Sequence, residues 1–203
     1  MNRRGLSLLE TLLAVSITAV IGVAISALMA AATNSLSSKD DGRRTAIRLA
    51  TTQIRLGAYI APSLCVLDKS NSHITLWFED SRKSSTVHAS EIRWITFDSE
   101  AKILSVKFVD FPESWSQSMV DQADFECNSL TDYTSVLSTF ESSEYITTVP
   151  LVDSIETCNF WLNQVNSVEA TRVSVRFSLA SEFGVTKDSM IDESIRLHVT
   201  PIQ

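Results

Sequence analysis

The hydrophobic pattern divides the chain into an apolar N-terminal run and a longer mixed remainder. Between Leu6 and Ala32 the only ionisable residue is Glu10. An α-helix of that length extends about 40 Å, which exceeds the roughly 30 Å hydrocarbon core of a bilayer. The pattern therefore predicts a membrane-spanning helix over residues 6–32.

A second helical pattern follows the polar residues 33–42. An apolar stripe recurs there with the period of an α-helix, and arginines lie on the neighbouring face. The members of the stripe are Ile47, Ala50, Ile54 and Ala58. We expect one helix over residues 6–60 that ends before Pro62 and packs this stripe against a sheet.

Beyond Pro62 the period changes to two, which is typical of β-strands. The alternating segments are 74–79, 91–97, 103–109, 172–179 and 194–199. The short polar break between the second and third segments predicts a β-hairpin. In the fourth segment, the residues expected to face the helix are Val173, Val175, Phe177 and Leu179.

Residues 110–169 are acidic, rich in Ser and Thr, and carry aromatic residues without a sustained period. We expect mostly irregular structure there, with a short strand near residues 145–149. Together the elements predict an α+β protein in which a long N-terminal helix packs on an antiparallel sheet, with a β-rich head over residues 61–203.

The charges around the apolar run predict its orientation. Arg3 and Arg4 precede it and no comparable basic cluster directly follows Ala32, so the positive-inside rule keeps the N-terminus cytoplasmic and exports the head. A cleavable signal peptide has a shorter apolar core of about 7–15 residues. Glu10 costs about 2.5–3.5 kcal/mol in lipid, which indicates a partner inside a protein assembly.

The sequence from Arg3 to Glu10, RRGLSLLE, resembles the processing motif of type IV prepilins and type II secretion pseudopilins. In that family a membrane peptidase cuts after the Gly and the new N-terminus is methylated. The resemblance implies a leader over residues 1–5, a cut between Gly5 and Leu6, and N-methylation of Leu6, which stands where the family usually has Phe. It also implies that Glu10 pairs with the Leu6 amine of a neighbouring subunit.

The layout is most similar to that of a J-type minor pseudopilin. This resemblance implies a pilin-like head in the periplasm and a non-enzymatic subunit of a type II secretion pseudopilus in the bacterial inner membrane. The implied partners are prepilin peptidase and other pseudopilin or pilin subunits, bound through the N-terminal helix. Two alternatives stay open, a minor type IV pilin and a signal-anchored periplasmic binding or sensor domain.

Composition argues against several other functions. The net charge of −7 disfavours nucleic acid as a ligand. The sequence contains no G-x-S-x-G or H-E-x-x-H motif, and its five glycines leave little material for a phosphate-binding loop. We expect neither an enzymatic activity nor a cofactor.

Three cysteines lie in the part expected to be exported, where disulfides persist. We favour a Cys127–Cys158 bridge in the turn-rich middle of the chain. The alternative is that Cys65, Cys127 and Cys158 are all buried small hydrophobic residues. None has metal-ligand spacing, so no metal site is expected.

Overall fold

The first described element is a long helix. The computed structural model describes residues 8–180 and 186–202, with side chains described for residues 12–31, 43–180 and 186–202. Helix α1 covers Leu8–Ile60 and ends just before Pro62, which lacks a backbone N–H. This confirms the expected helix over the described residues. The chain divides into two compact units between Arg44 and Thr45, and each is described separately.

The second unit is built mainly from antiparallel strands. They are β1 Cys65–Lys69, β2 His73–Trp77, β3 Val87–His88, β4 Ile92–Asp98, β5 Ile103–Val109, β6 Glu126–Cys127, β7 Ile146–Val152, β8 Ile155–Leu162, β9 Arg172–Ala180 and β10 Thr186–Ser194. The described strands form a five-stranded sheet in the order β1-β2-β4-β5-β7, a three-stranded sheet β10-β9-β8 and the pair β3-β6. An apolar N-terminal helix followed by antiparallel sheets is an α+β layout.

The β4–β5 hairpin is confirmed, with Ile95 opposite Val106 and Asp98 opposite Ile103. The strand expected near residues 145–149 is confirmed as β7. The rest of the acidic region is more regular than expected, because it also contains β8 and two short helices. These helices are α2 Gln117–Ala123 and α3 Tyr133–Ser142.

The expected strand over residues 194–199 is wrong. The strand is β10, which ends at Ser194, and the following residues run along the head without joining a sheet. The backbone N–H groups of Arg196 and Val199 donate to the carbonyl oxygens of Ala61 and Leu64, at 3.0 and 2.9 Å. The alternation of apolar and polar residues in this segment does not correspond to a buried strand face, because Leu197 is 73% exposed.

The buried face of α1 also differs from the expectation. Ile47 and Ile54 are 56% and 73% exposed, whereas Leu56 and Ile60 are fully buried. The buried stripe also contains Thr52 and the partly buried Leu49, so its members have the same helical spacing as the expected stripe, shifted by two positions. Periodicity cannot choose between two apolar stripes on one helix, and the fit against the sheets decides.

Packing of β9 toward the helix is confirmed. The four residues expected on its inner face are at most 2% exposed and share one core cluster with Leu56 and Ile60. A second cluster lies around Trp77 and Trp94 and includes Phe140 of α3. The head therefore has two cores, one under α1 and one under the acidic middle region.

Leu56→Ala should lower the free energy of unfolding by about 2–5 kcal/mol, because it removes a fully buried aliphatic group and leaves a cavity. The matched variant Ile54→Ala, two positions away on the exposed stripe, should stay within about 0.5 kcal/mol. Chemical denaturation of both variants measures the difference. Equal losses would contradict the assigned buried face.

Candidate functional site

The N-terminal part of α1 presents apolar side chains that the chain does not cover. Leu12–Ala31 is long and apolar enough to span a membrane, and none of it is buried. Its large apolar side chains are between 51% and 71% exposed. They are Leu12, Leu13, Val15, Ile17, Val20, Ile21, Val23, Ile25, Leu28 and Met29. An exposed apolar surface of this size is typical of a segment that lipid or another protein covers.

The hydroxyl groups on this segment are satisfied within the helix. The side chains of Ser16, Thr18 and Ser26 donate to the carbonyl oxygens four residues earlier, at 2.8, 2.7 and 2.8 Å. A hydroxyl that is already hydrogen-bonded costs less to transfer into an apolar medium. The segment is therefore compatible with lipid at its polar positions as well.

Gly22 has no side chain, so the surface of this helix is locally flat there. A Cβ atom built there would meet no other atom of the chain within 4 Å. Nothing in the chain itself therefore requires a glycine at this position. In a membrane helix, a small residue allows a neighbouring helix to approach closely.

The residues that resemble a prepilin processing motif lie at the edge of the described part. Gly5 and Leu6 lie outside the described residues, and Glu10 lies in α1 with its side chain outside them. Their predicted roles stay predictions.

In the head, Glu91 is fully buried with no cation beside its carboxylate among the described residues. One oxygen, Oε2, accepts from Trp77 Nε1 and the backbone N–H of His88, both at 3.1 Å. The other, Oε1, accepts from the Ser81 hydroxyl at 2.9 Å and from the backbone N–H of Arg82 at 3.1 Å. Four donors satisfy the carboxylate, so it holds the loop between β2 and β4 in place.

Asp124 is also buried, and its carboxylate accepts hydrogen bonds from an arginine of that loop. Arg82 donates from Nε and Nη2 at 3.0 and 2.9 Å, while the N–H and hydroxyl of Ser90 both donate at 2.8 Å. Sequence reasoning missed both buried carboxylates. The partners of Glu91 lie 3 to 14 residues away and those of Asp124 lie 34 and 42 residues away, and no helix or strand period connects such positions. Both carboxylates are almost inaccessible to solvent, and each accepts hydrogen bonds from donors of the head.

Arg93 lies between two aromatic rings on the head. Its guanidinium carbon is 4.8 Å from the ring centre of Phe78 and 4.9 Å from that of Phe108. Burial lowers the pKa of the Arg93 guanidinium, and the nearby carboxylate of Glu79 opposes that shift. Cation–π contacts on both faces stabilise the charge where water is largely absent.

The expected Cys127–Cys158 disulfide is not formed in the structure, where all three cysteines are buried free thiols. Cys158 lies in the core cluster under α1, whereas Cys65 and Cys127 belong to the second cluster. The alternative expectation, three buried small hydrophobic residues, describes this arrangement. Burial raises the pKa of each thiol to about 12, and for Cys127 the carboxylates of Asp124 and Glu126 add to the shift.

Iodoacetamide at pH 8 should alkylate the folded protein very slowly and the denatured protein at all three cysteines. A thiol with a pKa near 12 holds about a thousandth of the thiolate of a thiol with a pKa near 9, and only the thiolate reacts. Mass spectrometry of the quenched reaction counts the labels. Rapid labelling of the native chain would contradict the buried thiols, and a Cys127–Cys158 peptide in a non-reducing digest would restore the disulfide.

The described part of the chain gathers no group of three His, Cys, Asp or Glu residues that could hold a metal ion. No family model, curated protein or solved structure matches this chain.

Proposed function

We propose that this protein is a non-enzymatic minor pseudopilin, a structural subunit of a type II secretion pseudopilus. The observation that carries the proposal is the uncovered apolar face of Leu12–Ala31, directly after the RRGLSLLE motif. A subunit that is first held in a membrane and later packed into a filament needs a helix that is apolar on all sides. A soluble domain would have covered that surface with its own chain.

In this proposal the subunit occurs first in the membrane and then in the filament. The helix is first held in the inner membrane, with the basic residues Arg3 and Arg4 on the cytoplasmic side and the head in the periplasm. Prepilin peptidase then cuts after Gly5, and the amino group of Leu6 is methylated. The helix leaves the lipid when the neighbouring subunits of the filament replace it.

Glu10 supplies the pairing in this scheme. Its carboxylate is the only ionisable group of the apolar run, so it is unfavourable in lipid unless it meets a positive charge. The α-amino group created by cleavage at Leu6 of a neighbouring subunit provides that charge. Pairing makes the assembled state more favourable than an isolated subunit in the membrane.

The head is suited to a structural role. Leu56 and Ile60 of α1 are buried in the same core as β9, so the last turns of this helix are part of the packing of the head. The carboxylates of Glu91 and Asp124 are buried and hydrogen-bonded within the head, which suits a role in holding the loop between β2 and β4 in place. A head with its own packed cores, following a helix that can join a filament, suits a structural subunit.

The test is the mass of the protein from membranes with and without prepilin peptidase. With the peptidase, we expect loss of residues 1–5 and a methyl group on Leu6. A chain that stays uncut in the presence of active peptidase would overturn the proposal and favour a signal-anchored periplasmic domain. A minor type IV pilin would give the same cleavage, and co-purification with secretion or pilus subunits separates the two.

A further inference from the structure

The middle of the head carries negative charge without local compensation. Residues 108–171 contain eleven Asp and Glu residues and no Lys, Arg or His. Some of these carboxylates meet basic residues from elsewhere in the head, as Glu141 meets Lys107 at 2.6 Å. Glu113, Glu126 and Glu144 are exposed and form no ion pair within the described residues. This surface therefore attracts cations.

Three aromatic rings lie together in the same region. Phe111 stacks on Trp115 with ring centres 5.6 Å apart, and the rings of Trp115 and Tyr145 meet edge to face with centres 5.0 Å apart. Phe111 and Tyr145 are 6.2 Å apart, so the three rings form a closed group. Each of the three rings is partly exposed. The ring of the buried Phe140 meets that of Phe111 edge to face, with ring centres 6.0 Å apart.

Helix α2 extends the aromatic group with an uncovered methionine. No residue of α2 is buried, and Met119 is 47% exposed. Met119 and Trp115, together with Gln122 and Ala123, line an open depression of about 290 Å³. A flexible thioether beside an aromatic ring is a surface that adapts to a bound side chain.

Two exposed carboxylates lie next to the rings in the sequence. Glu113 is two residues before Trp115, and Glu144 directly precedes Tyr145. The backbone N–H of Asp110 donates to the carbonyl of Tyr145 at 2.9 Å, which joins the two segments. We call this region the aromatic–acidic surface, and it consists of Phe111, Glu113, Trp115, Met119, Glu144 and Tyr145.

Aromatic faces and carboxylates together select one kind of side chain. A ring presents negative potential on its face and attracts a guanidinium, which stacks flat and still donates to a carboxylate from its edge. The same head contains this combination internally, since Arg93 lies between Phe78 and Phe108 with Glu79 at 3.9 Å. The aromatic–acidic surface offers the same groups without an arginine of its own.

We propose that the aromatic–acidic surface binds an extended, arginine-bearing segment of a partner protein. The negative charge repels anionic partners, and a purely aliphatic partner would desolvate Glu113 and Glu144 without pairing them. The inference does not depend on cleavage or filament formation, because all the groups lie in the head.

Binding of a labelled peptide to the full-length protein in detergent micelles tests the proposal. The probe is a peptide of alternating Gly and Arg, compared with one that has citrulline, the uncharged isostere of arginine, in place of Arg. We expect saturable binding of the arginine peptide that weakens at high salt, and no binding of the citrulline peptide. A lysine peptide should bind more weakly, because an ammonium group does not stack.

Substitutions test whether the peptide binds at the aromatic–acidic surface. Trp115→Ala should weaken binding by about five- to thirtyfold, whereas Trp161→Ala, which removes a 44% exposed tryptophan on β8, should leave it unchanged. Glu144→Lys should abolish binding, and Glu100→Lys in the β4–β5 turn should weaken it only slightly. Because Glu144 and Glu100 are both exposed, these two variants keep the test valid if Trp115→Ala fails to fold.

Equal binding of the arginine and citrulline peptides would overturn the proposal, as would the absence of saturable binding. Equal losses in Glu144→Lys and Glu100→Lys would also overturn it, since they would indicate attraction to net charge alone. Cleavage by prepilin peptidase does not enter any of these measurements, so failure here leaves the proposed filament role intact.

Discussion

Gly5→Val should leave the protein in the membrane as the uncut full-length chain. A peptidase that cuts after residue 5 must fit that residue closely, and the branched side chain of valine adds bulk where glycine has none. Intact mass after co-expression with prepilin peptidase measures the result. We expect complete loss of the processed species.

Gly22→Ala is the matched control for Gly5→Val. It also removes a glycine from the N-terminal segment, but a Cβ atom at residue 22 meets nothing within 4 Å. This variant should insert and be cut normally. Normal cleavage of Gly5→Val would show that the cut site is elsewhere.

Glu10→Leu should be inserted and cut but should not assemble. Removing a carboxylate makes the helix more apolar, so insertion is at least as favourable as before. The Leu6 amine of the neighbouring subunit then loses its counter-charge in an apolar interface, where an unpaired charge is costly. The measurement is crosslinking to partner subunits, with secretion or pilus formation, in a strain that carries only this variant.

Glu10→Gln separates charge from shape, because it keeps the size of the side chain and one hydrogen-bond acceptor. It should also impair assembly if the charge is what matters. If Glu10→Leu assembles fully after confirmed cleavage, Glu10 has no partner. The anchored monomeric domain would then be the better description.

The N-terminal helix could be predicted from sequence because its signal is local. The twenty-residue segment from Leu12 to Ala31 is predominantly apolar, and its length and composition alone make it a candidate membrane span. The β4–β5 hairpin and β9 could be predicted for the same reason. In each, a period-two pattern over neighbouring residues coincides with a real buried face.

Predictions from the sequence were wrong where a local pattern was compatible with two packing arrangements. Two apolar stripes run along the last part of α1, and only packing against the sheets buries Leu56 and exposes Ile54. The alternation around Leu197 continues past the end of β10, yet the backbone there pairs with Ala61 and Leu64 instead of a strand. Choices of this kind depend on which surfaces the rest of the chain presents.

The sequence by itself determined the apolar helix, its charge asymmetry and the α+β order of elements, because these properties depend on neighbouring residues. Tertiary structure alone decided the environment of Glu91 and Asp124, the separation of Cys127 from Cys158 into two cores, and the grouping of Trp115 with Tyr145. These contacts join residues far apart in the chain. They therefore stabilise the protein only after the strands have paired and the two cores have formed.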